Sequence, residues 1–540
     1  MNRMKIRIVF YLVLFPALLV GLYACKDKGA GNVVGETKAL ESSTAPRSLC
    51  GSVTALYLKD LGPAERRSNI GDSHIPITTH NPKAQEWFDQ GLNLMHGFWT
   101  FESYRSFLEG VKADSTCAMC YWGIVMALPR NNAETNAIRK QAIAHANQFA
   151  STANITDNEK KLIEIATSYT AHEEITPTKS LMDAMIAQDP NNPELAAIDL
   201  NILNWSGYAT DEELRSTTEK YIAKYQNHIA IQHYHIHIME RYEKDYIKAL
   251  KSAEGIIKRN PSIAHLIHTP GHIFFKQGNY VRAINCFTRA DSIDNIYHKA
   301  EKISYADNEQ YLHNLHFLSS ALSENGQKTE ALAIAHKYAD LQFVVERKTS
   351  RSAMMWDYEG TILPAMVHIR YRDWANAIIE IEKLLNMTIG EQSPARNHIL
   401  AMLHFCKGMQ YNATNQNDLA LSELQELSKQ LEALSSEFQS GKTRDFKSNL
   451  SYTFAKIIAI HAYELQAWLK NANPSLAYDP TDFDQALKLE NNLGYFEPPR
   501  LCYPIYESMG QLFTKRGDGV NAKKYFALAK EKRPNSKLIK

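Results

Sequence analysis

Between Ala264 and Asn295 the order of small and aromatic residues prescribes a helix–turn–helix, and this stretch constrains the fold more than any other. Ile267, Gly271, Phe274, Ala283 and Phe287 fall at the bulky, small and aromatic places of a repeat of about 34 residues whose two short helices must interlock. Gly271 and Ala283 are small where the helices come closest, and Gly278-Asn279-Tyr280 supplies the turn. Ala249, Ala253 and Pro261 close a preceding unit that abuts this one without a linker.

The pattern recurs at Tyr506, Met509, Gly510, Phe513, Ala522, Phe526 and Pro534, and in weaker form from Ala84 (Trp87, Gly91, Phe107) and from Leu312 (Leu315, Leu322, Gly326, Ala331, Ala335). Further copies are suggested at Trp374 to Ile381 and at His404, Gly408 and Tyr411, with wandering spacing between. Apolar spacing beyond Pro76 is helical, as in Leu214 to Tyr225 and Leu419 to Phe438. The predicted fold class is therefore all-α: an α-solenoid of irregular helix hairpins over residues 76–540, read as one domain. A single hairpin buries its apolar face only against a neighbour, so the recurring small and aromatic residues specify packing rather than activity.

Arg3, Lys5 and Arg7 precede an apolar run from Ile8 to Val20, which ends at Leu22-Tyr23-Ala24-Cys25. The run is short for a membrane span, and residues 1–24 read as a secretory signal peptide. A cysteine after a small residue makes Cys25 the expected lipidation site, an anchor that does not span the membrane. Lys26 after it points to a bacterial envelope lipoprotein of the outer membrane. Residues 25–75 carry Gly, Ser and Thr without sustained periodicity and read as a tether, with order expected from about Pro76. The formal charge of +1 over 540 residues implies no nucleic-acid partner.

Six further cysteines, Cys50, Cys117, Cys120, Cys286, Cys406 and Cys502, are too sparse for a disulfide scaffold. Cys117 and Cys120 form a C-x-x-C. Tyr121 excludes c-type haem attachment, and no second C-x-x-C completes a zinc site. The pair reads first as a helix start, with a redox role as the alternative.

Chemistry concentrates in histidines. His265, His268 and His272 share one face of the first helix of their repeat, and His313 and His316 repeat the first two places in a later unit. On the repeat template these five rings line a concave groove suited to a protein or peptide partner. His96 is a weaker addition. His233, His237 and Glu240, spaced four and three apart, share a helical face and form a candidate metal set of the ligand types zinc uses, completed by His265 or His268. The template places His233 and His237 on the packing side, so no cofactor is the first expectation and a divalent metal such as zinc the alternative. Catalytic signatures are missing: Thr176 stands where the zincin-like start at His172 needs its second histidine, and neither a G-x-S-x-G elbow nor a phosphate loop occurs. No catalytic residue is assigned, and nothing compels an enzyme.

Four stretches, C-A-M-x-Y-W-G at Cys117 to Gly123, H-Y-x-I-H at His233 to His237, H-L-x-H-x-P-x-H-I at His265 to Ile273 and E-P-P-x-x-x-Y-P at Glu497 to Pro504, resemble those of a broad group of bacterial tetratricopeptide-repeat proteins. The likeness spans nearly all of the chain beyond Pro76 and implies the tetratricopeptide fold without naming an activity. Leu501 and Cys502 depart from the aromatics common in that group. Two functions follow: a membrane-tethered scaffold that binds a partner protein in its groove, or an envelope lipoprotein that binds a nutrient ligand or a metal. Twenty-seven tyrosines suit sugar stacking, although helix packing uses them equally well.

Overall fold

The computed structural model describes residues 62–540, apart from 130–132, 153, 172–174, 207–208, 243–244, 306–307, 342–350, 387–393, 440–445 and 495. The expected signal peptide, the expected lipidation site Cys25, Cys50 and the expected tether as far as residue 61 lie outside the described residues. Within them the chain is all-α, without a strand, and no helix is long and apolar enough to cross a membrane. Contacts divide the chain into two compact units, where the sequence suggested one array.

The larger unit holds residues 62–372, 496–502 and 530–540. Its helices are α1 (Pro82–His96), α2 (Thr100–Ala113), α3 (Ala118–Ala127), α4 (Ala133–Thr152), α5 (Asp157–Ala171), α6 (Thr176–Gln188), α7 (Pro193–Ser206), α8 (Asp211–Lys224), α9 (Ile229–Met239), α10 (Leu250–Arg259), α11 (Ala264–Lys276), α12 (Tyr280–Glu301), α13 (Glu309–Glu324), α14 (Lys328–Ala339), α15 (Arg351–Met355) and α16 (Leu363–Arg370). Each helix packs mainly on its neighbours in sequence, the arrangement of a helical-repeat array.

Local chemistry sets the ends of these helices. Thr210 and Glu213 form a reciprocal capping box at the start of α8. At the α11–α12 turn Asn279 caps the backbone N–H of Arg282, and Gly278 takes φ +71° with the Pro534 carbonyl where a side chain would stand. The interlock read from sequence is present. A Cβ on Gly271 would lie 2.5 Å from the Phe287 ring, and one on Gly91 2.7 Å from Phe107. These two glycines are what lets paired helices approach.

Packed structure starts before Pro76. The backbone N–H of Arg67 donates to Gln90 at 2.9 Å, and Ser73 exchanges two hydrogen bonds with the Asn93 side chain, at 2.9 and 2.8 Å. The Arg67 guanidinium sits 3.3 Å from Glu102 and 3.0 Å from Glu301. Segment 62–75 lacks periodicity because buried amides and carboxylates on distant helices hold it, not an apolar face of its own.

The smaller unit, residues 373–494 and 503–529, contains α17 (Trp374–Asn386), α18 (Pro394–Ala413), α19 (Asn417–Gln439), α20 (Phe446–Asn471), α21 (Thr481–Asn491), α22 (Ile505–Lys515) and the greater part of α23 (Gly519–Lys532). The final sequence repeat is here: a Cβ on Gly510 would meet Phe526 at 2.7 Å. Glu464 on α20 accepts hydrogen bonds from Tyr503 and Ser508, which joins α22 to that helix.

Candidate metal centre

The histidine-bearing helices α9, α11 and α13 are each the first helix of a hairpin, and they share one face of the larger unit. His233 and His237 stand on α9 with Glu240 at its C-terminal cap; α11 contributes His265, His268 and His272; α13 contributes His313. Glu497 joins them from the 496–502 segment. None of these eight side chains is more than 5% exposed.

The rings fall into two sets. His233, His237 and His265 each place one nitrogen within 4.8 Å of the others, and so do His268, His272 and His313. His237, Glu240, His272 and Glu497 form a third group at the same spacing, which links the two triads.

Hydrogen bonds fix the tautomers of four rings. His233 Nδ1 lies 2.7 Å from the His96 carbonyl, which only accepts, so Nδ1 carries the proton. His268 Nδ1 is 2.7 Å from Asn314 Oδ1, and that amide is oriented because its nitrogen donates to the Phe287 carbonyl at 2.9 Å. His237 and His272 direct Nδ1 at the two oxygens of Glu240, at 2.8 and 2.7 Å. Burial alone would raise the Glu240 pKa, but the His272 and His237 imidazoles outweigh it and hold the carboxyl well below its usual range.

With Nδ1–H committed, the Nε2 atoms of these rings present lone pairs to one another. His268 and His272 Nε2 are 2.6 Å apart, and His237 Nε2 is 3.1 Å from Nε2 of His265, a ring whose own proton position is not fixed in this way. His233 Nε2 is buried with no hydrogen-bond partner. The Thr269 hydroxyl, 3.2 Å from His237 Nε2, already donates to the His265 carbonyl at 2.8 Å. Facing lone pairs at such distances repel unless a proton or a metal cation lies between them. Without a metal a proton suits His272, since burial lowers its pKa but Glu240 and Glu497 reverse this and leave it raised, so an ion at the second triad would displace that proton. Burial, reinforced by neighbouring imidazoles, drives His233, His265, His268 and His313 well below the ordinary histidine value, and His237 is lowered too. Neutral imidazole is the form a metal needs.

Aromatic rings wall the centre. Phe98 stacks on His237 and His265 at 5.3 and 5.5 Å, and Phe317 stacks on His272 at 4.3 Å. This corrects the groove reading of His265, His268, His272 and His313. Phe98 and the Glu497 segment cover these buried rings, so they offer no surface to a peptide. His316 separates from the set: one turn beyond His313, it pairs with Glu359 at 3.3 Å and lines a cavity of about 50 Å³ with Ser319 and Arg370. His96 participates through its carbonyl, while its ring meets the Tyr234 hydroxyl at 3.1 Å. His233 and His237 do lie on the packing side, and it is there that they meet His265.

Sequence reasoning missed Glu497, Asn314, Thr269 and the cover Phe98. Glu497 opens the E-P-P stretch, which was the one available signal.

No family model matches the chain, and no curated protein matches it. Among solved structures, one described as Naa15/Naa10 bound to HypK-THB is 9% identical over 85% of this chain and 90% of that chain, with a TM-score of 0.19, a likeness too slight to build on.

Proposed function

We propose that this helical-repeat protein binds transition-metal ions at two adjacent three-histidine sites, His233/His237/His265 and His268/His272/His313, with Glu240 as a shared outer partner and Glu497 beside the second. The observation that carries this reading is that four of the six rings, His233, His237, His268 and His272, have Nδ1–H held by acceptors behind them and Nε2 directed into the triads, the outer-shell pattern of metal-ligating histidine. Imidazole sets without thiolate suit zinc or copper, and three protein ligands leave a fourth position open on each ion. The export and lipidation pattern of residues 1–25 supports a place for this centre at the bacterial envelope.

The test is metal analysis of the full chain after equilibration with Zn(II), or with copper, and exhaustive dialysis. Two ions per chain are expected, falling to one when either His265 or His313 becomes alanine. Metal at background, or a content that neither substitution changes, would overturn the proposal.

A further inference from the structure

The C-x-x-C pair lies outside the metal centre. Cys117 is the N-cap of α3, and its Sγ accepts the backbone N–H of Cys120 at 3.3 Å. The two sulfurs are 2.8 Å apart, inside the ordinary separation of about 3.5–4.0 Å for non-bonded heavy atoms. Both side chains are buried, and Gly110 makes room for them: a Cβ there would stand 2.8 Å from Cys120 Sγ. Among the described residues neither cysteine joins a histidine or carboxylate group that could hold a metal.

We propose that Cys117 and Cys120 are a modification site: they close an intrachain disulfide at the first turn of α3, formed by exchange with a small-molecule or protein disulfide as the chain folds. One cysteine thiolate attacks a sulfur of the external disulfide and expels one thiolate. The second cysteine then gives up its proton, attacks the mixed disulfide and expels the other thiolate. Together the two cysteines lose two electrons and two protons, and the external disulfide becomes two thiols. Side-chain hydrogen bonding to Cys117, with burial, pushes the Cys120 thiol well above its ordinary range, so Cys120 keeps its proton once folded. Both sulfurs are buried beyond the reach of an external disulfide once α3 packs on α2, so closure belongs to the folding chain and suits an oxidising compartment. The step owes nothing to the histidine centre.

The test refolds the metal-free full chain in chelator with oxidised and reduced glutathione, alkylates it in denaturant and weighs its peptides. The expected peptide bearing Cys117 and Cys120 carries no alkyl groups and lacks two hydrogens, while Cys286 and Cys406 are alkylated. A Cys117→Ser chain should give alkylated Cys120, and reductant should lower the thermal midpoint of the parent chain but not of this variant. Alkylation of both cysteines in the parent, glutathione left on either, or a bridge from either to Cys50 would overturn the proposal.

Discussion

Glu240 shows how much one side chain can decide. Its two oxygens accept from His237 in one triad and His272 in the other, so it orients a ring of each. Glutamine offers one carbonyl oxygen where two acceptors are needed, and its NH₂ group would face an imidazole N–H. Glu240→Gln should leave the chain folded and weaken at least one site by about 10–100-fold, the usual cost of losing an outer-shell partner; a competitive chelator titration that shows both affinities unchanged would remove Glu240 from the centre. Other histidines set the acid limit of the fold. Burial pushes His96, His235 and His298 down to about 4. Because their folded pKa lies below the unfolded value near 6.5, their contribution is complete above pH 6.5 and is lost as pH falls toward 4, on the order of 3 kcal/mol each. His272 has the opposite sign: its folded pKa is raised, so its contribution holds below 6.5 and fades as pH rises through the folded value. His272 stands against those three and against the five lowered rings of the centre, which leaves a net acid sensitivity, and urea unfolding of the metal-free chain should show its midpoint falling between pH 6.5 and 4. A flat midpoint across that window would mean these rings are solvated.

Helix hairpins are where sequence and structure agree best, for a local reason. Gly271 against Phe287 and Gly510 against Phe526 are sixteen residues apart in each pair, fixed by the length of two short helices and a turn, so a single sequence displays the contact. The same locality made the shared face of His265, His268 and His272 legible. Burial was not legible, because the covering groups come from far along the chain: Phe98 reaches His237 and His265, and Glu497 reaches His272 and His313. Segment 62–75 was missed for a related reason, since Gln90, Asn93 and Glu102 hold it by hydrogen bonds that leave no periodic mark. The two glycines give a matched pair of tests. Alanine at either overpacks its hairpin and should cost about 1–3 kcal/mol in chemical denaturation. Only Gly271→Ala displaces the helix that bears three ligands, so it should also weaken metal binding, whereas Gly510→Ala should not. Equal metal affinities in the two variants would separate the ligands from the α11–α12 interlock.

At the scale of the whole molecule, every proposed ligand belongs to the larger unit, as does Glu497 beside the second site, although it lies more than 180 residues beyond His313 in the sequence. A metal that binds this arrangement and not the unfolded chain stabilises it by mass action, by about 2.7 kcal/mol per site at a free concentration one hundred times Kd. That energy cannot be stored in one helix, because the ligands are spread over α9, α11 and α13 and the 496–502 segment lies against two of them through Glu497. Local opening of any of these must release the ion first. Amide hydrogen exchange of the full chain, with Zn(II) and with chelator, should therefore show metal-dependent slowing across residues 229–240, 264–276, 309–324 and 496–502 together. Amides of α17 to α21 should be unaffected, since that unit contributes no ligand. Slowing confined to α9 and α11 would leave the first triad standing and remove the second, and slowing of α17 to α21 alone would place the metal somewhere other than the histidine face.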